Sequence, residues 1–222
     1  MSEAAIPSSA YPVTYNVEPQ LTDRNRLTVA FRIILAIPHL LLVGGPGLAL
    51  GFGGGGFGGD SNYWYAFSAA GVLGAAAYVT AIISWFAIVF TGKQPKGLWD
   101  FAAFYLRWRS RAVAYSGLLR DDYPPFGEAT YPVQFTPGEF PETRDRLSVG
   151  LRLIYVIPHV IVLFFVGIGW AITAIISWFA VLFTGSYPDG LYRFGIGYMR
   201  WSLRVEAYAL LMQDQYPPFS LD

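Results

Sequence analysis

The sequence contains no cysteine, and it has few charged residues. Without cysteine, neither a disulfide framework nor a thiolate nucleophile or metal site can form. Charged residues make up 14% of the 222 positions, whereas a soluble domain usually carries about a quarter. The formal net charge is zero, which argues against a nucleic-acid partner because that binding depends on a positive excess. We therefore do not expect water to be the main solvent of this chain.

Apolar residues are abundant, at 54% of the chain, and aromatic residues reach 18%. They concentrate in four stretches, at residues 27–43, 65–90, 148–166 and 168–183. Each stretch is close to the roughly 17 to 25 residues that a helix needs to cross the hydrocarbon core of a bilayer. The pattern predicts four transmembrane helices.

The chain repeats itself. Residues 80–126 align without gaps to residues 173–219, with 27 of 47 positions identical. Residues 11–43 align to residues 131–163, with 12 of 33 identical. This similarity predicts two copies of one unit, a first repeat at 1–126 and a second at 127–222.

The two copies differ by 27 extra residues in the first, which include the glycine-rich segment 44–60. Glycine disfavours helix, so this segment is predicted to be a flexible outer loop between two spans. Its G-x-G-x-x-G match has neither a strand before it nor an acidic residue about twenty positions later, as a dinucleotide site requires. In the second copy, Gly167 to Gly169 is predicted to form a tight hairpin between the spans.

Basic residues predict the orientation. All fifteen Lys and Arg residues lie before or just inside the first apolar stretch of a copy, or after its second stretch. Under the positive-inside rule, both termini and the central segment 92–150 are expected to be cytoplasmic. Two crossings per copy give both copies the same orientation, as in a parallel repeat.

Each copy continues into a segment whose apolar residues alternate by three and four, at 98–119 and 191–212. This periodicity predicts two amphipathic helices at the membrane interface. The YPVTYNVE and YPVQF segments favour β structure and are predicted to pair as a small cytoplasmic sheet. The predicted fold is an all-α membrane protein: four transmembrane helices as two parallel-repeat hairpins, two interfacial amphipathic helices and short cytoplasmic β segments.

A set of motifs occurs twice in this order: YPV, R-x-R-L, I-P-H, S-W-F-A with F-T-G, a P-x-G-L turn, R-W and YPPF. The doubled pattern resembles bacterial membrane proteins grouped as domain of unknown function 4389, and it covers nearly the whole chain. The resemblance implies a small bacterial integral membrane protein. It implies no established activity, so no catalytic residue is carried over.

Two histidines, His39 and His159, lie at equivalent places inside predicted spans, and ionisable residues there are candidate functional sites. They could meet at a pseudo-twofold axis as a proton relay or part of a cation site. Alternatively, each imidazole hydrogen-bonds locally or to Ser84 or Ser177. Two histidines without a nearby carboxylate or cysteine do not make a metal site, so neither a metal nor a cofactor is predicted.

Four arginines form two pairs at helical spacing, Arg107 with Arg111 and Arg200 with Arg204. Beside an apolar stripe, such a face is predicted to contact anionic lipid headgroups. The alternative is that they form salt bridges with acidic residues: Asp121, Asp214 or Glu206.

Two further arginines, Arg32 and Arg152, lie one turn inside predicted spans. They are expected to extend to the inner surface or, alternatively, to cap the histidine region. The aspartates Asp121, Asp122 and Asp214 stand close to the prolines of YPPF, where capping and solvation would account for them.

The chain contains no G-x-S-x-G, H-E-x-x-H or phosphate-loop motif. The leading hypothesis is therefore a non-catalytic scaffold or accessory subunit of the bacterial inner membrane. Its expected partners are membrane lipids, together with a larger membrane complex or further copies of the chain. The alternative hypothesis is a small transporter or channel whose pathway passes His39 and His159.

Overall fold

The computed structural model of the protein describes residues 11–47 and 62–222, and the side chains of 62–69 lie outside that description. In this part of the chain two short strands and seven helices form. In chain order they are β1 (Thr14–Val17), α1 (Arg26–Ala30), α2 (Arg32–Val43), α3 (Asn62–Thr91), α4 (Lys96–Ser116), β2 (Val133–Thr136), α5 (Arg146–Gly150), α6 (Arg152–Thr184) and α7 (Asp189–Ala209).

The two strands pair as predicted. β1 and β2 are antiparallel, and their register places Tyr15 opposite Phe135 and Asn16 opposite Gln134. Tyr15 and Phe135 are buried, whereas Asn16 and Gln134 are exposed, as the alternation of side chains along a strand requires. The YPV segments of the two copies therefore join in one small sheet with a polar outer face.

The tight hairpin predicted at Gly167 to Gly169 is wrong, because Arg152–Thr184 is one continuous helix of 33 residues. Glycine serves close packing here rather than a turn. A Cβ atom added at Gly167 would lie 2.8 Å from the hydroxyl of Tyr198 in α7. The equivalent Gly74 has the same relation to Tyr105 of α4, with a distance of 2.7 Å. Both glycines let an aromatic residue of the following helix approach the long helix.

The first copy has the same long helix, but the extra residues interrupt it. Val43, the last residue of α2, aligns with Leu163 in the middle of α6. After the extra residues, Ala70 aligns with Leu163 as well. The chain comes back to the end of α2 at Gly71, where a φ of 69° kinks α3. A Cβ atom there would lie 2.5 Å from the backbone of Leu42. The restarted helix therefore abuts the end of α2.

Two helical segments are long and apolar enough to cross a membrane, Ala70–Thr91 and Arg152–Thr184. The helix α2, with 12 residues, is about 18 Å long and too short to cross. The four predicted spans thus become two candidate spanning helices in the described part of the chain. Of the predicted glycine-rich loop, residues 48–60 lie outside the described residues.

The two long helices, α2 continued by Ala70–Thr91 and α6, run antiparallel. Trp178, near the end of α6, donates a hydrogen bond to the carbonyl of Val29 in α1, at 2.9 Å. Trp85, near the end of α3, donates to the carbonyl of Val149 in α5, at 3.0 Å. Each long helix therefore begins beside the end of the other. The hairpins on which the predicted parallel orientation rested are not present in either described copy.

The two predicted amphipathic helices are α4 and α7, and they form the core rather than an interfacial layer. α4 packs against α2 and α3, α7 packs against α6, and the two contact each other. Their remaining surfaces carry β2 and β1, respectively. Trp99, Tyr105, Tyr198 and Trp201 are among their buried residues. The apolar stripe seen in the sequence is real, but the long helices cover it instead of lipid.

Candidate functional site

Each histidine is enclosed by aromatic residues of its own copy. His39 is buried in α2, and its Nδ1 atom accepts a hydrogen bond from the indole N–H of Trp108, at 3.0 Å. Phe126 stacks on the imidazole with ring centroids 4.4 Å apart. The carbonyl of Pro124 lies beside the imidazole, although Nε2 makes no hydrogen bond of ordinary geometry.

The second copy repeats this arrangement. Trp201 donates to Nδ1 of His159 at 3.1 Å, and Phe219 stacks on the ring at 4.0 Å. The I-P-H, R-W and YPPF motifs, which are far apart in sequence, therefore assemble one cluster per copy. The hydrogen-bond partner of each histidine is a tryptophan, so the prediction of Ser84 or Ser177 is wrong.

The histidine clusters do not form one shared site. Every described ring contact of His39 is with the first copy, and every one of His159 is with the second. Each imidazole is closed off by the extended YPPF segment of its copy. This geometry suits a structural clasp that holds the segment after α4 or α7 against the long helix.

A second motif in each copy is an aspartate held by two arginines. Arg24 makes two hydrogen bonds to the carboxylate of Asp121, at 2.9 and 2.7 Å, and Arg32 binds the same group. Arg32 also lies over the ring of Tyr115, with its guanidinium carbon 4.1 Å from the centroid. The R-x-R-L region is thereby tied to the end of α4.

The second copy contains the same clamp: Arg144 and Arg152 contact Asp214 at 2.7 and 2.6 Å. Arg152 is 1% exposed, and so is Arg32 of the first copy. Both arginines therefore bind an aspartate of their own copy, and their described contacts include neither histidine. Their position relative to the inner membrane surface stays a prediction. The interpretation of Asp121 and Asp214 as solvated caps is wrong, because two arginines hold each of them, whereas the side chain of Asp122 is 53% exposed as expected.

The charge environment stabilises the ionised form of Asp121. Burial alone would raise the pKa of this carboxyl, but the hydrogen bonds from Arg24 and from the backbone N–H of Asn25 outweigh it. The pKa of Asp121 is consequently held below its ordinary value. The carboxylate is a fixed anion at neutral pH, as a structural ion pair requires.

One buried ion pair joins the two copies, and the sequence reading missed it. Arg109 of α4 contacts Glu206 of α7 at 2.7 Å, and both side chains are 1% exposed. The guanidinium also donates to the carbonyls of Val43 and Gly47, at 2.8 and 2.6 Å. Arg109 thus satisfies backbone groups that the interruption of the long helix leaves open.

A signal for this pair was present in the repeat alignment. Arg109 aligns with Ser202, and Glu206 aligns with Val113. Each charge therefore replaces an uncharged residue of the other copy. Opposite charges at such positions, one in each copy, were a reason to expect a partner across the interface.

The four arginines predicted to contact lipid are partly buried against other segments of the chain. Arg107 contacts Glu128 at 2.7 Å, and Arg111 donates to the carbonyl of Gly127 at 2.8 Å. The other two, Arg200 and Arg204, donate to backbone carbonyls as well, including those of Tyr15, Leu221 and Asp222. Asp121, Asp214 and Glu206, the partners considered in the alternative, are bound by other arginines. Contact with anionic lipid stays a prediction.

An open groove lies between the long helices. It has a volume of about 460 Å³, and both copies line it. Ile82 and Trp85 of α3 form one wall, and Leu153 and Val156 of α6 form the other. Leu211, which follows α7, contributes to its base. The lining is almost wholly apolar, and Arg152 is its charged member.

Within residues 11–47 and 62–222, no group of three or more His, Asp or Glu side chains has the arrangement of a metal site. The polar clusters instead bind segments of the same chain: histidine with tryptophan, aspartate with two arginines, and arginine with glutamate. Together these contacts attach the long apolar helix of each copy to the core helices α4 and α7 and to the segments that follow them.

Both copies of this helical unit match the model of one protein family. The family model described as Domain of unknown function (DUF4389) matches residues 65–127 and 146–220, two tandem segments that cover more than half of the chain. The protein is a member of this family, which confirms the resemblance seen in the motifs. No curated protein and no solved structure matches the chain.

Proposed function

We propose that the protein is a non-catalytic, membrane-bound scaffold or accessory subunit. The observation that carries this proposal is the exposure of its long apolar helices. Only 17% of the most apolar window of α6 is buried, and only 28% of that of α3. A core helix of a soluble protein would be mostly covered. Such an exposed surface is stable in lipid and not in water.

The polar clusters support a non-catalytic role. The two histidines, the clamped aspartates and the Arg109–Glu206 pair all bind the chain's own segments. The histidine and aspartate contacts hold each copy together, and the Arg109–Glu206 pair joins the two copies. The sheet then offers a polar outer face, on which Asn16 and Gln134 are exposed, to a protein of a membrane complex.

The location proposed is the inner membrane of a bacterium, with both termini on the cytoplasmic side. The position of all fifteen Lys and Arg residues supports it: they lie before or just inside the first apolar stretch of a copy or after its second stretch, and basic residues stay on the cytoplasmic side. Four separate crossings are not retained, because α6 is continuous and α2 is short. The transporter alternative needed both histidines beside one pathway, and their separate clusters give it no support.

Site-specific photocrosslinking in native membranes tests the scaffold proposal. A photoreactive residue at Asn16 or Gln134 should give one dominant protein adduct, identified by mass spectrometry. The matched control is the same probe at Ile176 on the exposed face of α6, which should give lipid adducts. A polar face that yields no protein adduct other than the chain itself would contradict a scaffold role.

A further inference from the structure

We propose that the exposed apolar surface of the long helices lies in the acyl-chain region of one membrane leaflet, with these helices along the membrane plane. We call this surface the apolar face; it consists of the exposed large hydrophobic residues of α2, of Ala70–Thr91 in α3, and of α6. The proposal rests on the membrane location proposed above and specifies the partner of that surface as a single leaflet.

The apolar face along α6 is longer than the hydrocarbon core of a bilayer is thick. It extends from Leu153 to Phe183, which are each 76% exposed, and no charged residue lies between them. The helix of 33 residues is about 50 Å long, at 1.5 Å per residue. The hydrocarbon core is only about 30 Å thick. An upright α6 would leave about 20 Å of apolar helix in water or headgroups, whereas a helix in the plane immerses its whole length.

Upright long helices would carry exposed polar groups of the chain into the membrane. α4 packs along both α2 and α3, and α7 packs along α6, so these core helices would cross as well. The Arg107–Glu128 ion pair, with side chains 37% and 51% exposed, would then lie among acyl chains together with the polar face of the sheet. Exposed charges and exposed strand edges at that depth are costly. With the helices in the plane, these groups remain outside the hydrocarbon.

The exposed apolar surfaces of the two long helices lie on the same side of the molecule. Ile82 of α3 and Leu153 of α6 are both exposed, and they line the two walls of the same groove. Ala209 of α7 also lines the groove. The exposed surfaces of the two long helices therefore adjoin along this groove, and the core helices lie behind them. One leaflet can contact both surfaces at once.

The side chains on the apolar face favour lipid over a second copy of the chain. They are mainly Ile, Phe, Leu and Val, for example Ile83, Phe86, Ile176 and Phe179. Contacts between helices in membranes favour small residues that allow close approach, whereas bulky aliphatic residues suit acyl chains. The small residues Gly74 and Gly167 instead pack inward against tyrosines of the core.

The absence of cysteine makes a direct depth measurement possible. Ile154, Ile161, Ile168 and Ile175 are seven residues apart on one exposed stripe of α6, with exposures from 47% to 60%. Each is replaced by cysteine, spin-labelled and reconstituted in phospholipid vesicles, and nitroxide depth is measured from collisions with oxygen and with a water-soluble nickel complex. In-plane helices predict nearly equal depth at all four sites. A crossing helix predicts depths that change by about 10 Å between neighbouring sites and pass through a maximum.

A labelling experiment gives an independent result. Gly150 and Gly190 flank α6, and a Cβ atom at either meets open space, so Gly150→Cys and Gly190→Cys should fold normally. An impermeant maleimide, applied to right-side-out and to inverted inner-membrane vesicles, should modify both variants from the same side. Modification from opposite sides would overturn the in-plane arrangement while leaving the membrane location intact. If nitroxides on Ile161→Cys and Ile168→Cys do not collide with oxygen, a second chain covers the apolar face, and this result would also overturn the proposal.

Discussion

The ion pair between Arg109 and Glu206 offers the sharpest test of how the two copies are joined. In Glu206→Val the guanidinium keeps the carbonyls of Val43 and Gly47 but loses its anion in a site that is 1% exposed. A buried charge without its partner lowers the free energy of unfolding by about 3–5 kcal/mol. Denaturant unfolding in mild detergent, followed by the fluorescence of the seven tryptophans, measures this change.

The double variant Arg109→Met, Glu206→Val removes both charges. It leaves two carbonyls without their donor, so it should cost about 2 kcal/mol, at about 1 kcal/mol each, and be more stable than Glu206→Val alone. The control is Asp100→Asn, which breaks an exposed pair with Lys96 and should cost less than about 0.5 kcal/mol. A double variant as unstable as the sum of its single variants, or a Glu206→Val cost below about 1 kcal/mol, would refute the reasoning.

Three further predictions concern the other contacts. The pKa of Asp121 lies below its reference value of 3.8, so the ionised carboxylate stabilises the folded protein above that pH, and this stabilisation is lost as the pH falls through the lowered pKa. Asp121→Asn should therefore remove this part of the acid sensitivity when the free energy of unfolding is measured against pH. Trp108→Phe leaves the Nδ1 atom of the buried His39 without its donor and should lower the free energy of unfolding by about 1–3 kcal/mol. Trp170→Phe is the control and should cost less, because the indole N–H of Trp170 makes no hydrogen bond; equal losses would contradict the clasp. Gly71→Ala should lower the melting temperature because its Cβ would meet backbone at 2.5 Å with φ at 69°, while Gly97→Ala, in open space, should not; unchanged melting of Gly71→Ala would disprove the close abutment of α2 and α3.

The sequence predicted several elements whose motifs occur in both copies. The segment that begins with YPV in each copy was predicted to be a strand, and the two pair as β1 and β2; the pair of spans predicted after the second strand is instead one continuous helix. The helices predicted at 98–119 and 191–212 occur as α4 and α7, with their starts and ends two or three residues earlier. Local periodicity identifies such elements because it reflects which face of a helix or strand is covered.

Hydropathy misplaced the turns. Gly167 to Gly169 was predicted to be a hairpin turn because the apolar residues on both sides of it are numerous enough for two spans. A glycine inside a helix costs about 1 kcal/mol. In α6 each of the two glycines allows close contact with an aromatic residue of α7. Nothing in a single sequence distinguishes a glycine that turns the chain from one that admits a ring.

The candidate site could be predicted only in part. His39 and His159 were recognised as buried polar groups, but their tryptophan partners lie 69 and 42 residues away in sequence. The aspartate clamps join residues 97 and 70 positions apart. Motif reading identifies which residues recur, whereas the pairing of recurring residues depends on how α4 and α7 fold back along the long helices.

The central claim is that two fastened copies of a long apolar helix sit in lipid. The most direct measurement is fractionation of the native membranes with alkaline carbonate, followed by gel filtration of the extracted chain. The protein should stay with the membrane through carbonate and high salt and enter solution only with detergent, because its exposed apolar helices cannot be hydrated cheaply. A chain released by carbonate, running as a compact monomer in plain buffer, would contradict the claim.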